Sequence, residues 1–279
     1  MAGVEQNIFT NLLSKLFFPR KFEIKYEDRQ IPAVLTTPNR PRDQGIVFTH
    51  GAGGDMDTPQ VALICEGLSK RGFTVLRFTC KSLNLKYRTK VYAEVVKYFK
   101  MNNSEVQRCL VGGRSMGSRA AVEVANQLKG TEFESFVQGV ICISYPLFPP
   151  GSPEKIRDAP LYDLCQSSLF VSGDRDDMCE KTRLLDVLAK VKNSSVCWLE
   201  NADHSLVVRS SGLEHTVQFV IEKICNWHYE TKGVNQNGFR CESRHVIEAE
   251  VPAKGSKRTK LQEERVKSSK KRKLKNKSK

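Results

Sequence analysis

The stretch Val106 to Leu128 constrains the chain more than any other. Val106-Gln107-Arg108-Cys109-Leu110-Val111 reads as a short buried strand, and Ser118 to Leu128 reads as an alanine-rich helix. Between them stands Gly113-x-Ser115-x-Gly117. A strand that turns into a helix over so few residues needs glycine beside the turn to avoid steric clash, and it holds the central serine hydroxyl out at the bend. The small residues Gly117, Ala120 and Ala121 let the helix pack closely. The G-x-S-x-G spacing is common by chance, so its meaning depends on what the rest of the chain supplies.

The surrounding chain alternates in a matching way. Phe22–Tyr26 and Ile31–Thr36 read as antiparallel strands, followed by an apolar strand at Gly45–Thr49. A helix (59–70), a strand (73–78), a helix (88–100) and the strand at Val106 come next. After the elbow helix come strands at 140–144 and 169–171, a helix at 180–191, a strand at 196–199 and a last helix at 213–228. Short apolar runs alternating with helices imply right-handed β-α-β units and a mostly parallel sheet covered on both faces. Chemistry in such sheets sits at the carboxyl ends of the strands. Pro146 to Cys165, with five prolines, breaks the alternation and is expected to form a minimal irregular cap beside the site.

Charge divides the chain. Residues 254–279 hold thirteen Lys/Arg against Glu263 and Glu264, a net +11, which leaves only +3 of the total +14 for the other 253 residues. That segment has no aromatic residue and few large apolar ones, so no core forms there and disorder is expected. We expect three parts: an N-terminal amphipathic helix (1–20), a body (21–230) and a basic tail (231–279). The tail reads as a nuclear localisation signal met by an import receptor, as an arm binding nucleic acid without sequence selectivity, or as a solubilising appendage. The apolar pairs of Ile8 to Phe18 recur every four residues. This face either packs on the body or serves as a peripheral membrane or targeting segment. Its lack of a positive leading region argues against a secretory signal. No apolar run reaches the roughly 18 residues of a membrane span. Nine cysteines at irregular spacing, without a C-x-x-C pair, point to a reducing compartment, cytoplasmic and/or nuclear.

Three strand ends offer complementary side chains. The elbow offers Ser115. The loop after 169–171 offers Asp174, Asp176 and Asp177, and the loop after 196–199 offers His204. The order Ser, Asp, His is that of the α/β-hydrolase triad. A serine hydroxyl is a poor nucleophile at neutral pH, so an imidazole must take its proton and later deliver it to the leaving group. A carboxylate fixes the imidazole tautomer and stabilises the imidazolium. The fourth piece is His50-Gly51-Ala52-Gly53-Gly54, similar to the H-G-G-G loop that contributes an oxyanion-hole N–H. Ala52, preferred over Gly51, is the candidate donor from this loop, with Met116 N–H as the second. The expected architecture is therefore an α/β-hydrolase fold.

The segments His50–Met56, Leu76–Lys81, Gly113–Ala121 and Ile141–Leu147, extended by Phe170–Gly173 and Asp177–Lys181, resemble the testis-expressed protein 30 family. These are small α/β-hydrolase-like proteins related to dienelactone hydrolases, a group that also includes the hydrolase-like segment of a chromatin-complex subunit. The resemblance covers roughly residues 22–228, excluding the N-terminal helix and the basic tail. It implies the fold and the triad positions. It also selects Asp176, because the family's acid follows the strand glycine by three places. The unused aspartates then become N-caps for the next helix. It implies no substrate.

Arg114 and His50 are the candidate substrate-side residues. Arg114 either anchors an anionic substrate group or braces the floor of the site. His50, at a strand end, is expected to shape its loop through a ring hydrogen bond. Two functions follow. The first is a serine hydrolase, of carboxylesterase or dienelactone-hydrolase type, that opens an ester, thioester or amide through an acyl-enzyme and needs no metal or organic cofactor. The second is a non-catalytic binding or scaffold protein, tied to chromatin through its basic tail.

Overall fold

The computed structural model describes residues 19–208 and 212–231. The expected N-terminal helix and the basic segment 254–279 lie outside the described residues. Eight strands form one sheet: β1 (Arg20–Tyr26), β2 (Arg29–Thr36), β3 (Gln44–Thr49), β4 (Thr74–Phe78), β5 (Arg108–Arg114), β6 (Val137–Ile143), β7 (Ser167–Gly173) and β8 (Ser194–Leu199). Their spatial order is β1-β2-β4-β3-β5-β6-β7-β8. The β1–β2 and β2–β4 pairs are antiparallel, and all the others are parallel. From β3 the chain steps outward to β4, whereas from β5 onward it winds the opposite way. The carboxyl ends of β3 and β5 therefore flank the point where the winding reverses, the natural crevice of an open α/β sheet.

Both faces of the sheet are covered, as the unbroken burial of β3 and β4 requires. Helices α1 (Pro59–Lys70), α2 (Leu85–Asn102), α3 (Met116–Leu128), α4 (Ala159–Tyr162), α5 (Lys181–Leu188) and α6 (Gly212–Thr231) connect or follow the strands. Residues of α2, α3 and α5 share one apolar core with Val47, Val111, Val140, Cys142, Phe170 and Val196 of the sheet. On the other face α1 packs against α6. Strand residues divide between these faces with period two: Val47 belongs to the first core, while Ile46 and Phe48 are buried opposite.

The structure shifts several expected boundaries. Helix α2 starts at Leu85, three residues before Arg88, because the Asn84 side chain caps it by accepting from Tyr87 N at 3.1 Å. Val106 belongs to the turn before β5, its N–H donating to Asn103 O. Helix α3 begins directly after Ser115, two residues earlier than the alanine pattern marks. Residues 146–165 form the β6–β7 crossover. Leu147, Phe148, Leu161 and Leu164 are buried there, and Asn126 of α3 donates to Pro160 O at 2.8 Å. Among the described residues no helix is long and apolar enough to cross a membrane.

Candidate active site

The elbow is built by contacts that exclude side chains. A Cβ on Gly113 would lie 2.5 Å from the Gly117 carbonyl carbon, and one on Gly117 would lie 2.6 Å from His50 O. With both positions bare, β5 runs against the start of α3, and α3 runs against the end of β3. Ser115 takes the strained φ 53°, ψ −119° at the corner. Its N–H donates to Ile143 O at 2.8 Å, and its carbonyl accepts from Ser118 Oγ at 2.6 Å.

The loops after β7 and β8 bring the other two groups to this corner. His204 Nε2 stands 2.8 Å from Ser115 Oγ. His204 Nδ1 stands 2.8 Å from Asp176 Oδ2 and 3.0 Å from Oδ1. A carboxylate only accepts, so the proton sits on Nδ1, and Nε2 is left as the acceptor for the serine hydroxyl. The Asp176 side chain is 0 % exposed, and its Oδ1 also accepts from Met178 N at 2.8 Å. Asp174 and Asp177 are exposed, and it is Asp176 that bonds to His204. Neither caps α5, whose N-cap is Glu180 without a side-chain bond to the helix backbone. That corrects the capping expected for the unused aspartates. Cys179 lies behind Asp176, and burial pushes its thiol up to about 12, so it stays protonated.

The third component is the loop after β3. Among the described residues, neither Ala52 N–H nor Met116 N–H has a protein acceptor. Met116 opens α3, where the first N–H groups lack intrahelical partners. His50 makes the expected ring bond: Nδ1 lies 2.7 Å from Gly51 O, while Nε2 accepts from Cys80 N at 3.0 Å. The ring is fully buried and both nitrogens are engaged, so it offers nothing to a substrate. Burial, with Arg88 nearby, pushes the imidazole down to about 4 and keeps it neutral.

Arg114 lies beneath the site and donates from Nη2 to His204 O at 3.0 Å. A Cβ on Gly51 would stand 3.4 Å from Arg114 Nη1 and 3.4 Å from Ser115 Cβ. The guanidinium thus lies close to Gly51 and Ser115 while holding the His204 carbonyl. Burial works against its charge, while Asp176 and Asp203 favour it.

Arg88 is a residue that the sequence pattern did not single out. It is 1 % exposed and donates to His50 O at 2.9 Å, Gly51 O at 3.1 Å and Ser82 O at 2.7 Å. Among Lys86, Arg88 and Lys90 of one helix, nothing in the residue type marks the inward one. Among the described residues no three His, Cys, Asp or Glu side chains converge as a metal site.

The arrangement can accept a proton from the Ser115 hydroxyl at His204 Nε2. Its fold recurs in solved structures. Est1E from Butyrivibrio proteoclasticus is 17 % identical, with a TM-score of 0.61 over 75 % of this chain and 98 % of that one. An alpha-beta serine hydrolase homologue from Coxiella burnetii is 17 % identical, with a TM-score of 0.60 over 74 % and 97 %. A dienelactone hydrolase from Anabaena variabilis is 15 % identical, with a TM-score of 0.57 over 76 % and 98 %. At such identities the likeness is one of fold. The sequence itself carries the family signature over residues 42–229, and on that match the chain belongs to the alpha/beta hydrolase domain family.

Proposed function

We propose that the protein is a serine hydrolase that cleaves a carboxylic ester, thioester or amide through an acyl-enzyme. The observation that carries this reading is the unbroken chain from Asp176 through His204 to Ser115 Oγ, with contacts of 2.8 Å on both sides of the imidazole. In the proposed cycle Ser115 Oγ bonds to the substrate carbonyl carbon while His204 Nε2 takes the hydroxyl proton. The carbonyl electrons move onto oxygen, and that oxyanion is held by Ala52 N–H and Met116 N–H. The bond to the leaving group then breaks, and the leaving group departs with the proton from His204. Water repeats the sequence on the acyl-enzyme, releasing the acid and restoring Ser115. Asp176 holds the imidazole tautomer and stabilises the imidazolium throughout.

The family match and the resemblance to dienelactone hydrolases support this class of chemistry, and the testis-expressed protein 30 group is the finer placement we propose. The domain division at residues 20 and 230 belongs to the same reading. So does a cytoplasmic or nuclear location, with residues 254–279 engaging an import receptor or nucleic-acid phosphates. Labelling with a fluorophosphonate probe tests the chemistry. The full chain should react at Ser115 and Ser115→Ala should not, whereas a folded wild type that stays unlabelled would rule the proposal out.

A further inference from the structure

Arg88 is a buried cation without a counter-charge. No carboxylate stands in ion-pair range of it among the described residues, and its donors go to three backbone carbonyls. Leaving a guanidinium so placed is costly, because burial removes its hydration and no anion replaces it. What the residue does in return can be read from the two peptides it holds. Nη1 donates to His50 O at 2.9 Å and Nη2 to Gly51 O at 3.1 Å, so one planar fork spans consecutive carbonyls. Gly51 O receives a second donor from His50 Nδ1 at 2.7 Å. The Nδ1 proton is fixed there because His50 Nε2 is occupied in accepting from Cys80 N.

A trans peptide sets its C=O and N–H in opposite directions, and none of the described peptides is cis. Drawing Gly51 O inward onto Arg88 and His50 therefore turns Ala52 N–H outward, away from the buried network. Ser115 borders Gly51: a Cβ on Gly51 would stand 3.4 Å from Ser115 Cβ, while Ala52 is exposed. We infer that Arg88 is a positioning residue for the oxyanion site: with His50 it locks the Gly51–Ala52 peptide so that Ala52 N–H faces the substrate oxygen. Its buried charge also lies behind that donor, where it favours negative charge developing in front. The catalytic half of this inference rests on the serine-hydrolase reading, and the peptide orientation does not.

The test uses the full chain with Arg88→Met, which fills the space without donating, and Arg88→Lys, which keeps the charge but reaches fewer carbonyls. Each is checked for folding by its melting temperature. Hydrolysis of p-nitrophenyl acetate should show kcat reduced about 100-fold or more in Arg88→Met. KM should stay within about threefold, since the oxyanion forms only in the transition state. Arg88→Lys should recover part of kcat. The pH midpoint of kcat/KM should not move, because His204 and Asp176 remain in place. A crystal structure of Arg88→Met should show the Gly51 carbonyl released and the peptide turned. A folded Arg88→Met with wild-type kcat overturns the inference, as does an unturned peptide in the crystal. Should Arg88→Met fail to fold, the same kinetic and crystallographic readings on Arg88→Lys decide. A wild type inert to both ester and probe defeats the hydrolase reading alone, and the peptide orientation then decides on Arg88.

Discussion

Gly173 and Ala202 meet backbone to backbone: a Cβ on Gly173 would stand 2.2 Å from the Ala202 carbonyl oxygen. That carbonyl also accepts from Arg175 N at 2.9 Å. The contact clamps the loop leaving β7 against the loop leaving β8, three residues before Asp176 and two before His204. Because the obstructing atoms are backbone, no rotamer change relieves a side chain here. Gly173→Ala should therefore cost about 1–3 kcal/mol in urea unfolding, the usual penalty for overpacking. It should cut ester hydrolysis far more than stability alone explains, since His204 must shift from Ser115. Wild-type activity in this variant would show that the clamp does not set the His204 position.

Asp176 is the carboxylate that geometry puts against His204, and its replacement by amide separates charge from shape. Asp176→Asn keeps the volume but offers an N–H₂ group that favours the wrong imidazole tautomer, with the proton on Nε2 facing Ser115. We expect kcat to drop by about three to four orders of magnitude with folding retained, measured on p-nitrophenyl acetate and by the fluorophosphonate labelling rate. Asp174→Asn and Asp177→Asn, both at exposed positions, should stay within about twofold of wild type. A large loss in Asp177→Asn and none in Asp176→Asn would reassign the acid.

How much of this was legible in the chain depends on how local each signal is. The alternation of apolar runs and helices, and the order of Ser115, an aspartate loop and His204, follow from one-dimensional spacing, because parallel strands deliver their carboxyl-end loops to one edge. The choice of Asp176 among three aspartates comes from the family resemblance. Residues set by a cap or by burial were harder. Arg88 stood at the expected first position of its helix, yet Asn84 starts the helix a turn earlier and Arg88 sits within it, facing His50. Ser144 reads as a strand residue, but its φ of 47° takes it out of β6. The sequence places His50 near the site, but does not show the backbone partners that use up both ring nitrogens. The proline-rich stretch 146–165 forms the β6–β7 connection, and its prolines mark the lack of regular structure without saying which surface it covers.

Tyr92 ties the elbow strand to α2. Its hydroxyl accepts from Gly112 N at 2.8 Å and lies 2.6 Å from Val47 O and 2.7 Å from Gly112 O, between β3 and β5. Burial raises the phenol well above its ordinary pKa, so it remains a donor. Tyr92→Phe removes one oxygen, and with it a bond from a buried N–H and one to a buried carbonyl, which costs about 1–3 kcal/mol. Chemical denaturation should detect this as a lower urea midpoint with an unchanged slope. An unchanged midpoint would mean that water or a shifted backbone restores the bonds.

His50 should make the protein acid-sensitive in a defined window. Its imidazole titrates near the ordinary 6.5 in the unfolded chain and near about 4 in the folded one, lowered by burial and by Arg88. Between those values the unfolded state binds a proton that the folded state refuses, so stability falls as the pH drops through the window. The full contribution is present above 6.5, and a difference of this size is worth roughly 3 kcal/mol by linkage. The chemistry agrees with the sign: a proton on Nε2 would face the Cys80 N–H that now donates to it. Other groups titrate below pH 5, so the informative quantity is a difference. Urea midpoints from pH 7.5 to 4 should fall more steeply for wild type than for His50→Gln, whose amide supplies one donor and one acceptor but does not take up a proton. Parallel curves for the two proteins would mean that His50 gains no proton on unfolding in this range, and the neutral, doubly bonded ring would have to be abandoned.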